Sequence, residues 1–76
     1  MAREQRIEIL AEMVANVLVV EVAVGDIVDI GDTVVLLESM KMEIPVMAEV
    51  AGTVTAVKVA AGDVVQEGDP LVELTG

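Results

Sequence analysis

Two halves of this chain carry the same pattern of residues, displaced from one another by 37 positions. Residues 9–37 and 46–74 share 13 identities in 29 aligned positions, more than a common richness in valine explains. The clearest shared unit is Gly-Asp-x-Val-x-x-Gly-Asp, which occupies residues 25–32 and again residues 62–69. The fold must therefore use one small unit twice, and two copies are fewer than the roughly three that a stacked repeat array needs.

Each copy reads as short strands separated by turns. In the first copy, residues 6–10 alternate between polar and apolar, whereas residues 17–24 and 33–38 are rich in β-branched and aliphatic residues. Residues 27–30 form a shorter apolar-polar piece between two Gly-Asp turns. With about four strands in each copy, we predict an all-β domain that is a small sandwich or a flattened barrel.

The strand pattern changes phase within each copy. Val17 and Val20 are three positions apart, so they cannot both lie on one face of a regular strand, and Val54 and Val57 repeat this spacing. We therefore predict a β-bulge or sharp twist at both places.

The Gly-Asp pairs predict turns in which glycine has a positive φ and aspartate caps the turn with its side chain. A calcium loop is the functional alternative, but it needs oxygen ligands at alternating positions. Asp26, Asp29 and Asp32 are instead three positions apart and separated by apolar residues. The glycines do not cluster as in a phosphate-binding loop. We predict a structural role and no metal site.

The composition argues against several functions. A formal net charge of -10 and the absence of aromatic residues disfavour nucleic acid and anionic membranes as partners. Because histidine and cysteine are also absent, we expect no catalysis by this chain alone. Residues 1–8 do not resemble a secretory signal, and the apolar stretch 17–24 is far shorter than the ~20 residues that span a bilayer. We therefore predict a soluble, cytoplasmic protein.

The run Glu-Ser-Met-Lys-Met-Glu occupies residues 38–43, between the two copies. Lys41 is the only basic residue between Arg6 and Lys58. A single lysine is ordinarily a solvated surface charge, but here Met40 and Met42 flank it where a short exposed connection would normally be polar. This context makes Lys41 the candidate functional residue.

This run and the Gly-Asp units on either side of it resemble the biotinyl/lipoyl attachment domains, and most closely their small free-standing members, over nearly all of residues 7–75. The resemblance implies a flattened barrel of two four-stranded antiparallel sheets with a pseudo-twofold axis and with Lys41 on a tight hairpin turn. Residues 1–76 would be one domain, with repeat 1 at 9–37, the attachment hairpin at 38–45 and repeat 2 at 46–74.

The resemblance also implies a function. A biotin protein ligase would recognise Met40 and Met42 and join biotin to Lys41 as an amide. The carrier, monomeric when free and not itself a catalyst, would then move carboxyl-biotin between a biotin carboxylase and a carboxyltransferase. Two alternatives stay open. One is lipoate on Lys41, although lipoyl domains usually flank the lysine with acidic and small residues. The other is an unmodified barrel that serves as a structural or interaction module.

The chain departs from the family pattern at three positions. Ser39 replaces the commoner alanine, whereas Glu12 and Ala15 stand where family members usually carry proline and glycine. The second repeat keeps Gly52, so we expect the turn before Val17 to be altered. No extra segment lengthens the first repeat, so the protruding thumb of some acetyl-CoA carboxylase carriers should be absent.

The repeat also predicts positions relative to Lys41. A shift of Lys41 by 37 positions in either direction leads to the chain ends, which we therefore expect together at the end of the barrel opposite Lys41. Lys58 corresponds to Glu21 and is expected midway along a strand, facing outward. That placement would offer no protruding turn to a ligase, so Lys58 is not a candidate.

Overall fold

A computed structural model describes residues 6–76, which form eight strands in two antiparallel sheets. Among these residues there is no helix long and apolar enough to cross a membrane. The strands are β1 (Arg6–Leu10), β2 (Ala15–Val20), β3 (Ile27–Val28), β4 (Thr33–Ser39), β5 (Met42–Met47), β6 (Gly52–Val57), β7 (Val64–Val65) and β8 (Pro70–Thr75).

The two sheets are equivalent under the repeat. Sheet A has the strand order β1-β8-β6-β3, and sheet B has the order β5-β4-β2-β7. The 37-residue shift converts each strand of one sheet into the strand at the same place in the other. Each sheet contains strands from both copies, so neither copy completes a sheet alone. The predicted arrangement of two four-stranded antiparallel sheets is confirmed.

The core follows the same symmetry. Apart from Ala15, every buried apolar residue has a buried counterpart 37 positions away, and the described residues include no buried polar or charged side chain. Burial of each such valine or leucine contributes roughly 1.5–3 kcal/mol relative to exposure. The paired residues are Ala11, Val17, Val28, Val34, Val35 and Leu37 in the first copy and Ala48, Val54, Val65, Leu71, Val72 and Leu74 in the second.

The predicted bulges are present in both copies. The register of β2 against β4 shifts between Val17 and Val19, and that of β6 against β8 shifts at the equivalent place. The extra residue turns Val20 toward the core, against which it packs. The predicted strand 17–24 is wrong at its end, because β2 stops at Val20. The chain then turns at residues 23–26 and crosses into sheet A as β3.

The four Gly-Asp turns have one geometry. Their glycines all have φ between 91° and 98°. In the first turn, the Asp26 N–H donates to the Ala23 carbonyl at 3.0 Å, and Asp26 Oδ2 accepts from the Ala23 N–H at 2.9 Å. The Gly25 N–H also donates to Val54 at 2.8 Å, which joins this turn to a strand of the other copy. The predicted structural role of these residues is confirmed.

Replacement of Gly25 by alanine should lower the free energy of unfolding by only about 1–2 kcal/mol, the cost of a left-handed backbone for a residue with a Cβ. A Cβ at Gly25 would have no atom within 4 Å apart from those of its chain neighbours, so no tertiary clash is added. Urea denaturation of the Gly25→Ala variant measures the difference, with Val24→Ala at the exposed neighbouring turn position as the control. A loss above ~4 kcal/mol would show that more than backbone strain is involved.

Candidate functional site

Lys41 lies in the two-residue turn that joins β4 to β5. Ser39 and Met42 are the last paired residues of the ladder, and Met40 and Lys41 between them have φ of 53° and 65°. Positive φ at both central positions is the mark of a type I′ hairpin turn, which normally contains asparagine or glycine. Neither residue is of that kind, so the turn carries local strain of roughly 1–2 kcal/mol per residue.

The β4–β5 ladder stabilises this strained turn. Six residue pairs join the two strands, from Ser39 with Met42 at the turn to Thr33 with Met47 at the far end, and the register shifts once, between Thr33 and Val35. Leu37, two residues before Ser39, is 1% exposed and anchors β4 in the core. Backbone strain at an exposed position persists only where the surrounding structure imposes it. The hairpin therefore holds Lys41 outside the body of the barrel.

The surroundings of Lys41 are open. Met40 is 91% exposed and Met42 is 64% exposed, and Lys41 itself is exposed. Within residues 6–76 the one ion pair joins Arg6 to Glu73, so Lys41 makes none in that part of the chain. A modifying enzyme can therefore approach the amine of Lys41 without breaking an ion pair in that part of the chain.

Two carboxylates lie directly behind the turn. Glu38 pairs with Glu43 across the ladder, so two negative side chains share one face of the hairpin. Like charges in direct cross-strand positions are unfavourable for stability. This pair gives the base of the hairpin a negative potential that a positively charged partner would sense.

Lys58 occupies a different kind of position. β6 ends at Val57, so the prediction that Lys58 lies midway along a strand is wrong. The Lys58 N–H still donates to the Leu71 carbonyl at 2.9 Å, as the Glu21 N–H does to Val34 in the other copy. The side chain is exposed, but its backbone is held against the sheet and forms no protruding turn.

The C-terminal end lies opposite the Lys41 turn, as predicted. Ala51 follows the end of β5 that is remote from the turn, and a Cβ built on Gly76 would be 3.2 Å from the Ala51 carbonyl oxygen. The same Cβ would be 4.0 Å from the Ile7 side chain near the start of β1. The part of the prediction that concerns Met1 lies outside the described residues.

The expected alteration of the turn before Val17 does not move the strand. β2 begins at Ala15 and β6 begins at Gly52, which are equivalent residues. Ala15 is 5% exposed, so its methyl group is accommodated in the first copy. In the second copy a Cβ on Gly52 would lie 2.9 Å from the Thr75 carbonyl oxygen, too close for any real contact. The two copies thus differ in the space available for a Cβ at this position.

A doubled β barrel that holds one lysine on an exposed, methionine-flanked turn defines the class of cofactor-attachment domains. The family model described as "Biotin-requiring enzyme" matches residues 7–74. The chain therefore belongs to the biotin/lipoyl attachment family.

Two proteins with similar sequences are named as biotinylated proteins. The biotinylated protein TB7.3 of Mycobacterium tuberculosis strain H37Rv is 65% identical over 37 residues, which is 49% of this chain and 52% of that protein. Its homolog from Mycolicibacterium smegmatis is 67% identical over the same length, with the same shares of both chains. The alignment thus spans about half the length of these relatives.

Two solved structures contain a similar domain. A single-chain, multi-domain long-chain acyl-CoA carboxylase matches 92% of this chain with a TM-score of 0.87 and 33% identity, over 7% of its own length. The urea carboxylase of Kluyveromyces lactis matches 97% of this chain with a TM-score of 0.86 and 30% identity, over 6% of its length. In both, the similar domain is a small part of a much larger enzyme.

Proposed function

We propose that Lys41 is covalently biotinylated and that the chain is a swinging-arm carrier of carboxyl groups. The observation that carries the proposal is the strained turn of Met40 and Lys41, which exposes the lysine in a chain of the biotin/lipoyl attachment family. A left-handed conformation at two non-glycine residues has a cost in stability, and such a cost is typical of functional sites. Expression with biotin and a biotin protein ligase, followed by intact mass measurement, tests it.

The attachment step is an acyl transfer. A biotin protein ligase would hold biotin as its adenylate, a mixed anhydride in which the biotin carboxyl carbon is bonded to an oxygen of the AMP phosphate. The Lys41 ammonium would first lose a proton to a base of the ligase or to water, and the free Nζ would attack this carbon. As the C–N bond forms, the C–O bond to phosphate breaks, AMP leaves, and the nitrogen releases a second proton to the same acceptor to give the neutral amide. A primary amine is the group required for a stable amide product. Lys41 is then an anchor for the cofactor, and the chemistry on biotin belongs to other proteins.

The partners that fit this role are a biotin carboxylase and a carboxyltransferase. The carboxylase would place a carboxylate on the biotin ring, and the transferase would pass it to an acceptor. The similarity to small parts of two carboxylases supports this assignment. The chain has no histidine or cysteine to contribute to either reaction, as expected for a carrier and not for a catalyst.

Biotin is favoured over lipoate by the residues around the lysine. Met40 and Met42 are both exposed, so they are available for contact with a modifying enzyme. The names of the TB7.3 relatives also point to biotin. Co-incubation with a biotin ligase, a lipoate ligase and both cofactors separates the possibilities, because biotinyl, lipoyl and unmodified chains differ in mass.

Replacement of Met42 by threonine should slow biotin transfer at least tenfold or allow lipoate onto Lys41. The side chain is 64% exposed, and exposed substitutions usually change stability by no more than ~0.5 kcal/mol, so folding should be nearly intact. The measurement is the initial rate of ligase-catalysed labelling. Leu10→Thr, an apolar-to-threonine change at a 43% exposed residue of sheet A, is the control. Labelling of Met42→Thr at the wild-type rate, with biotin only, would remove Met42 from recognition.

A further inference from the structure

The outer faces of the two sheets differ, although their backbones are equivalent. Across the middle of sheet A, Glu8 pairs with Glu73, which pairs with Ala56. The corresponding row of sheet B is Pro45, Leu36 and Val19, paired in the same order. We call these three residues of sheet B the apolar stripe. One fold thus presents a charged row on one side and an apolar row on the other.

In the row on sheet A, Glu73 has polar partners within the chain. Glu73 accepts a hydrogen bond from the Thr55 hydroxyl at 3.0 Å and lies 3.9 Å from the Arg6 guanidinium. Each of these groups is at the surface and also faces water. This face has the character of an ordinary solvated sheet.

The apolar stripe has no such partners. Val19 is 42% exposed, Pro45 is exposed, and Leu36 is half-buried. Leu36 lies between the buried residues Val35 and Leu37 in β4, so it points away from the core, and it is not among the residues packed against the core. Apolar side chains in one row on a surface are typical of a contact with another protein.

The stripe is continuous with the Lys41 hairpin. Pro45 and Leu36 lie two residues from Glu43 and Glu38, and the turn follows directly. The distance from Pro45 along β5 to the turn is four residues, or about 14 Å at ~3.4 Å per residue. A standard protein interface buries about 800 Å² on each partner and is wider than this distance. A protein that takes Lys41 into an active site and approaches from the outer face of sheet B would therefore cover the stripe.

The charges beside the apolar stripe indicate which kind of protein can bind there. The paired carboxylates Glu38 and Glu43 lie between the stripe and the turn. If two copies of the chain, each with a formal charge of -10, packed face to face, the carboxylates of one copy would lie near those of the other and repel them. A partner with an apolar centre bordered by lysine or arginine fits the stripe and the carboxylates together.

We propose that the apolar stripe is the docking surface for the biotin protein ligase, beyond the methionines of the turn. This inference rests on the proposed biotinylation of Lys41. The stripe and the Glu38–Glu43 pair would orient the hairpin so that Lys41 enters the ligase active site. The contact is made before and during the reaction, so it lowers the KM for the carrier and leaves kcat little changed.

The test compares matched variants of the two sheets. Val19→Thr/Leu36→Thr removes two apolar side chains from sheet B, and Ala56→Thr/Glu73→Thr places the same residues at the equivalent positions of sheet A. Each variant is titrated against a biotin protein ligase with biotin and ATP, and thermal unfolding confirms folding. Pro45→Glu, which copies Glu8 of sheet A at an exposed position, provides a second variant in case the double change prevents folding.

The sheet B variants should raise KM for the carrier at least tenfold with kcat within twofold of wild type, and the sheet A variant should change neither. An unchanged KM for the sheet B variants while the wild type is labelled overturns the docking surface alone. An equal increase in KM for the sheet A and sheet B variants also overturns it, because it indicates a general structural effect. A wild-type chain that takes no biotin overturns the proposed function, and the docking surface falls with it.

Discussion

A chain in which Lys41 is replaced by arginine should take up no biotin from a biotin protein ligase and should fold as the wild type does. Arginine keeps the positive charge and a long flexible stem, but its guanidinium is not an acyl acceptor in this reaction. Residue 41 is exposed and makes no ion pair within residues 6–76, so its replacement breaks no ion pair there. Streptavidin capture and intact mass measure the loss, which should be complete.

Lys58→Arg is the matched control for this experiment. It makes the same chemical change at a second exposed lysine that lies beside the sheet. Its capture by streptavidin should equal that of the wild type. Capture of the Lys41→Arg variant at a comparable level would place the attachment site elsewhere.

Replacement of Gly52 by alanine should have the largest effect on stability among the glycine changes, about 2–4 kcal/mol, the range of overpacking and backbone displacement. The new Cβ would lie 2.9 Å from the carbonyl oxygen and 3.3 Å from the carbonyl carbon of Thr75. Both are backbone atoms of β8, so β6 and β8 would have to separate at this point. In a domain of 76 residues, which buries a modest core, such a loss is a large part of the total stability.

Gly25→Ala provides the comparison, because that turn has space for a methyl group and bears only backbone strain. Urea unfolding of both variants should rank Gly52→Ala well below Gly25→Ala in stability. A Gly52→Ala chain within ~0.5 kcal/mol of wild type would mean that β6 and β8 tolerate separation.

The sequence predicts most of the architecture because the duplication reduces the problem to one unit. The identities fix which turns are equivalent, and the three-residue spacing of Val17 and Val20 requires the bulge that the structure contains. The Gly-Asp turns follow from residue chemistry alone, since positive φ and side-chain capping each point to one residue type.

Other features depend on tertiary contacts. The apolar run in the sequence continues beyond Val20. β2 nevertheless ends at Val20, because the chain must turn at Asp26 to reach sheet A. The Met40–Lys41 turn contains neither Asn-Gly nor Asp-Gly, so turn rules give no sign of it, and the resemblance to a family provided that prediction. The predicted strand position of Lys58 is wrong for the same reason, because β6 ends at Val57 as β2 ends at Val20.

The sequence pattern does not predict the apolar stripe either. Leu36 stands in the run Val-Val-Leu-Leu at residues 34–37, where every member resembles a core residue. The register of β4 against β2 and β5 shows that Leu36 faces outward beside Val19 and Pro45. The comparison with Glu73, its equivalent in sheet A, then reveals that the position does not need an apolar residue for folding.

Site-resolved peptide mass spectrometry can show which residue of the chain receives biotin. The chain would be incubated with biotin ligase, lipoate ligase, both cofactors and ATP, then cleaved at acidic residues and analysed by fragmentation. We expect a single biotinyl group, on Lys41 of the peptide that contains Met40, Lys41 and Met42. Biotin on Lys58, or lipoate in place of biotin on Lys41, would contradict it.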